Sequence, residues 1–94
     1  MLSLFEPLKI KGLSLKNRLV MPPMATGMAT EDGEVTDRHT KHYATRARGG
    51  VGLIIVEYTY VAKEGKSSQG QMGLCDDKLI PSLKRLVEAI HAEG

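Results

Sequence analysis

The residues best suited to chemistry lie where the chain leaves a short apolar run, in Met21-Pro22-Pro23-Met24-Ala25-Thr26-Gly27. Two prolines stiffen the backbone there, and the small residues that follow let a flat ligand approach the main chain closely. The freed N–H and C=O groups suit the edge of a heterocycle, and Thr26 adds a hydroxyl. A tight structural turn accounts for the same residues without any ligand. Other signals carry less. His39 and His42 stand i,i+3 and would need a third ligand before they could hold a metal, and the sequence places none. Gly65-Lys66-Ser67 has the ending of a phosphate loop, but Tyr60 occupies the position of its required first glycine. Gly49, Gly50 and Gly52 precede a strand instead of following one, which excludes a dinucleotide fingerprint. Cys75 has no identifiable base partner. No residue is assigned a catalytic or metal-binding role.

The elements that must position these residues follow from periodicity. Leu8-Lys9-Ile10, Lys11-Gly12 and Leu13-Ser14-Leu15 predict a hairpin, and Leu19-Val20-Met21 a short strand halted by the prolines. Residues 24–35 read as a long loop with a turn at Asp32-Gly33. Thr36 is a fitting N-cap for a helix over Asp37–Arg48, with Thr40, Tyr43, Ala44 and Ala47 on one face and Gly49-Gly50 supplying a left-handed stop. Residues 51–56 are apolar without alternation, the mark of a strand covered on both faces. Residues 58–77 read as a second long loop. Leu79, Ile80, Leu83, Leu86, Val87 and Ile90 then predict a helix with Pro81 in its first turn, His91 near its end and Gly94 as its cap.

The order hairpin, strand, helix, strand, helix predicts an α/β chain with right-handed crossovers and a parallel sheet. Connections after the strands are long and those after the helices short. Loops at the carboxyl ends of parallel strands carry chemistry, so the two long loops mark the working face. Two parallel strands are not a domain, however. A closed (β/α)8 barrel needs ~250 residues, and this chain has 94. The expectation is the N-terminal part of a TIM barrel. The rival reading is a non-catalytic half-barrel module that self-associates to cover its strand edges.

Composition bounds the partners. With 41% hydrophobic and 26% charged residues the chain is an ordinary globular one. Thirteen basic against eleven acidic residues are too evenly balanced to suggest nucleic acid or a membrane surface. The longest apolar-or-glycine stretch, 51–56, falls far short of the ~20 residues that span a bilayer. Glu6 and Pro7 interrupt any secretory h-region, and a single cysteine suits a reducing cytoplasm.

Four segments taken together resemble the old yellow enzyme family, in its bacterial NADH:flavin oxidoreductase and dienoyl-CoA reductase branch. They are Leu4-Phe5-Glu6-Pro7-Leu8, Leu15-Lys16-Asn17-Arg18, Met21-Pro22-Pro23-Met24 and Gly50-Val51-Gly52-Leu53-Ile54-Ile55-Val56-Glu57. The resemblance runs through all 94 residues and covers about the first quarter of a family barrel. It implies that residues 1–94 are the N-terminal portion of a single FMN-binding TIM-barrel domain, inactive alone. The implied whole passes hydride from NAD(P)H through the flavin to an activated small-molecule alkene. Pro22, Pro23, Met24 and Ala25 are then expected along the flavin ring, with Tyr58 touching it through its backbone. Ala25 departs from the Thr, Cys or His frequent in the family, so polar tuning of the flavin would fall to Thr26. The family's substrate anchors, its phosphate-binding loops and, in the dienoyl-CoA branch, its iron–sulfur cysteines would lie beyond Gly94. A homo-oligomer is left open.

Overall fold

A computed structural model describes residues 3–94. The predicted hairpin is present as strands β1 (Leu8–Ile10) and β2 (Leu13–Leu15), antiparallel with Leu8 opposite Leu15. Its left-handed residue is Lys11, at φ 52°, and not the neighbouring Gly12. Asn17 then turns the chain into the sheet. Its Nδ2 donates to the carbonyl of Gly50 at 2.5 Å while its Oδ1 accepts from the N–H of Leu19 at 3.0 Å.

Strand β3 (Val20–Met21) runs parallel to β4 (Leu53–Ile54), with Val20 opposite Leu53 and Met21 opposite Ile54. The crossover is helix α1 (Asp37–Arg48), as predicted: Thr36 caps it by accepting from the N–H of His39, and Gly49 closes it. Of the two glycines at its end, Gly50 takes the left-handed conformation, at φ 112°. The ladder is shorter than the apolar run 51–56 for a chemical reason. The N–H of Ile55 still bonds to the carbonyl of Met21 at 3.1 Å, but the next rung needs an N–H from residue 23, a proline.

The buried stripe of α1 is His39, Tyr43 and Ala47, spaced by four. The face expected from the sequence, Thr40, Tyr43, Ala44 and Ala47, contains two of these and omits His39, a polar residue whose imidazole is held by a buried partner. Helix α2 (Ile80–His91) packs on α1 with Ser82 and Leu86 inward, and Ile80 and Val87 remain exposed. Its cap is Ala92 rather than Gly94. The core is Val35, Tyr43, Met72 and Leu86, with Ile54, Val56 and Leu83 against it. Only one side of β4 is thus covered, and Ile55 on the other stays 47% exposed. The radius of gyration, 14.5 Å, exceeds the ~12 Å of a closed globule of this length. The chain is elongated, 46 × 23 × 21 Å.

Residues 58–77 correct the reading of a plain loop. They contain a second parallel pair, β5 (Thr59–Tyr60) with β6 (Met72–Gly73), and 3-10 turns at Lys63–Gly65 and Asp77–Leu79. The pair folds back on the first long loop: the N–H of Ala29 bonds to Gly70 and that of Gly73 to Gly33. The Tyr60 ring lies against Gly73, where a Cβ would stand 2.5 Å from Cζ. Gly73→Ala should therefore destabilise the protein by about 1–3 kcal/mol through overpacking, measured as a lower denaturant midpoint at unchanged slope.

Candidate functional site

The two segments that leave β3 and β4 meet at a buried carboxylate. Glu57 directly follows the apolar run of β4 and is 2% exposed. Its Oε1 accepts from the hydroxyl of Thr26 at 3.0 Å and lies 2.7 Å from Nε2 of His39. Its Oε2 accepts from the hydroxyl of Tyr43 at 2.9 Å, and that same oxygen of Tyr43 accepts from the Glu57 N–H at 3.1 Å. Thr26 Oγ1 also lies 3.0 Å from His39 Nε2. These partners assign the ring hydrogen to Nε2 of His39, since the carboxylate can only accept. Nδ1 of His39 is buried and has no partner among the described residues.

Helix periodicity supplies two of these partners. His39 and Tyr43 are one turn apart, so both side chains leave α1 on the same face, over the end of β4. Burial pushes the Tyr43 hydroxyl up to about 12, reinforced by the adjacent Glu57 charge. It therefore stays a donor throughout the neutral range. His42, the next histidine, points elsewhere. It lines a hollow of about 330 Å³ with Met21, Met24, Ala25, Thr26, Met28 and Arg46, and burial followed by the Arg46 charge lowers its basicity. The two histidines share no site, and among the described residues no group of three metal-ligating side chains is assembled.

The structure puts Pro22, Pro23, Met24 and Ala25 in an exposed segment at the carboxyl end of β3, and Tyr58 four residues past the carboxyl end of β4, directly after Glu57. Because the strands are parallel and Thr26 bonds to Glu57, both segments occupy one mouth of the sheet. Among the described residues the main-chain N–H groups of Met24 and Ala25 make no hydrogen bond. Met24 is 63% and Tyr58 43% exposed. The Met-lined hollow does not extend to Tyr58, so the two segments form an open wall, not an enclosed pocket. Thr26 differs from expectation: its hydroxyl is engaged with Glu57, His39 and the N–H of Met28. Lys66, in the phosphate-loop-like run, donates instead to the carbonyl of Glu31 at 2.6 Å and lies over the Tyr60 ring. Cys75 is half-buried in a hollow of mixed charge with Lys63, Lys66, Lys78, Asp32 and Asp76.

Comparison with known proteins agrees with this geometry. The model of the NADH:flavin oxidoreductase / NADH oxidase family matches residues 3–94. The chain belongs to that family. It is 45% identical to an NADPH dehydrogenase of Listeria monocytogenes serotype 4a (strain HCC23), over all of this chain and 28% of that protein. An NADPH dehydrogenase of Listeria welshimeri is 44% identical over the same shares. The chain thus spans little more than a quarter of the curated relatives it matches.

Solved structures of old yellow enzyme barrels superpose on it closely. An old yellow enzyme homologue from Zymomonas mobilis gives a TM-score of 0.88 at 33% identity, over 98% of this chain and 25% of that one. Morphinone reductase in complex with tetrahydroNAD gives 0.88 at 32% identity, over 100% and 25%. The fold is accordingly part of the (β/α)8 barrel of this family.

Sequence pattern marks His39 only as half of a candidate metal pair with His42 and Tyr43 only as part of a helix face, and does not show the network they share with Glu57, although an acid closing an apolar run is a visible signal. The Tyr43 hydroxyl binds its proton more tightly in the folded state than its ordinary value of 10. That contribution to stability is complete below pH 10 and is lost as pH rises towards about 12. Denaturation across this window should show the stability advantage over Tyr43→Phe shrinking as pH rises. A constant difference would mean that the hydroxyl does not titrate there.

Proposed function

We propose that this chain forms part of the flavin wall of an FMN-dependent NAD(P)H oxidoreductase acting on activated alkenes. The observation that carries the reading is the 3.0 Å Thr26–Glu57 bond across a parallel strand pair. It brings residues 22–25 and Tyr58, the two segments that resemblance to the family places beside the flavin, to one mouth. The residues present fit a flat heterocycle. Pro22 and Pro23 hold the segment rigid, Met24 offers an exposed thioether surface, and Ala25 leaves the main chain approachable. The unpaired N–H groups of Met24 and Ala25 are free to meet acceptors on a ring edge. Bound there, FMN would supply hydride transfer between nicotinamide and alkene, chemistry that no side chain performs. Tyr43 and His39 are enclosed and held by Glu57, so no proton delivery is assigned to this chain. A nicotinamide reductant, a small-molecule alkene and a cytoplasmic setting belong to the same proposal.

The full-length protein is expected to be yellow and to oxidise NADPH or NADH; a colourless, flavin-free preparation would count against the reading. In that protein Met24→Glu and Pro23→Glu should each weaken FMN retention about tenfold, or ~1.4 kcal/mol, in a fluorescence titration. Unchanged affinity would remove those residues from the site.

A non-catalytic, self-associating module is the second reading. It draws on Val20 and Ile55, each 47% exposed in the sheet, and on the bare Ile80 and Val87 of α2. Sedimentation of the 94-residue chain distinguishes the two: a soluble oligomer with one cooperative melt supports the module, and a monomer or aggregate opposes it.

A further inference from the structure

Glu57 is an expensive residue to enclose. Its side chain and that of His39 are both fully buried, and an apolar pair of similar volume would spare the protein the desolvation of a carboxylate. The hydrophobic core around Val35, Tyr43, Met72 and Leu86 meets the charge through the Tyr43 hydroxyl. What the carboxylate does join is specific. Through Oε1 it holds Thr26, the residue after Ala25; through its own main chain it leads into Tyr58. Its N–H is in turn fixed by Tyr43, and the carbonyl of Glu57 accepts from the hydroxyl of Thr59 at 3.0 Å. One side chain therefore sets the separation of the two ligand-facing segments without lying in either.

We infer that Glu57 is a positioning residue for the ligand wall, acting through the Thr26 hydroxyl and oriented by His39 and Tyr43. The inference rests on the flavin reading above for its ligand, but the coupling of the two segments does not depend on it. Removing the Thr26 hydroxyl leaves Oε1 with one donor fewer and releases the Pro22–Thr26 backbone from the end of β4. A buried hydrogen bond to a charged group is roughly twice as strong as a neutral one, enough to change how the segment is populated.

The test uses the FMN-loaded full-length protein. Thr26→Val, which keeps the shape and removes the hydroxyl, should weaken FMN binding about tenfold and shift the flavin midpoint potential and visible maxima. Thr26→Ser should restore both. Glu57→Gln, which removes the charge and turns one acceptor oxygen into a donor, should move the same flavin readouts in the same direction as Thr26→Val, and the double variant should do less than the sum of the two because they share the Thr26 bond. Ser82→Ala serves as the structural control. It removes a buried hydroxyl that accepts from the Val35 N–H at 3.1 Å, and should lower the melting temperature without moving the flavin spectrum. A Thr26→Val protein that only melts earlier, with flavin affinity, potential and spectrum unchanged, would overturn the inference. If the wild-type protein holds no flavin, the flavin reading fails by itself. The coupling is then decided in the flavin-free protein: amide resonances of Ala25 and Tyr58 should shift together in Thr26→Val, and unmoved resonances would refute it.

Discussion

Enclosing the Glu57 carboxylate costs several kcal/mol unless donors surround it, and the mouth of this sheet is arranged to provide them. Thr26 comes from the loop after β3, His39 and Tyr43 come from α1, and the carboxylate itself sits on the segment that leaves β4. Each element is held by what it gives to the same two oxygens. Removing any one donor leaves the others facing an under-satisfied charge, so the network favours a single arrangement of three elements that hydrophobic contact alone would leave free to slide.

The backbone chemistry of the strands makes that arrangement useful. Proline at 22 and 23 ends the ladder one rung after Met21, so the chain leaves the sheet with its next N–H groups unpaired. β4 stops at Ile54, the last rung is at Ile55, and the chain runs on to Glu57, whose carboxylate takes over where main-chain bonding stops. Farther out, the Ala29–Gly70 and Gly33–Gly73 bonds fasten the second long loop onto the first. The close approach there of Gly70 to the Gly27 backbone, and of Gly73 to the Tyr60 ring, leaves no room for a Cβ at residues 70 and 73.

Much of this was legible in sequence because it is local. The cap at Thr36, the stop at Gly49-Gly50, the prolines after Met21 and the apolar spacing of α2 each reflect interactions within a few residues, and each is found in the structure. The crossover order then fixed which strand ends share a mouth. The failures are non-local. Two-residue strands such as Thr59–Tyr60 and Met72–Gly73 are too short to show alternation. His39 cannot be read as buried from the sequence because its partner lies 18 positions away on another element. The face through Thr40, Tyr43, Ala44 and Ala47 includes two of the three buried positions of α1 and omits His39, and with it the network on which the candidate site depends.

Thr26 bears most directly on how the mouth can recognise a ligand. Its hydroxyl donates to Glu57 and also meets His39 and the N–H of Met28, which leaves it no hydrogen to offer outward. Ala25 has no polar atom beyond its backbone. Between the prolines and Gly27, then, no side chain donates a hydrogen bond to the open side, and the polar groups presented are main-chain ones. Recognition along this stretch would depend on backbone direction more than on side-chain identity, and the device that sets that direction is buried behind it. On the proposed reading, a residue such as Ala25 could vary with modest consequence for binding, while a change at Thr26 or Glu57, whose polar atoms bond inward, would alter the geometry of the whole wall.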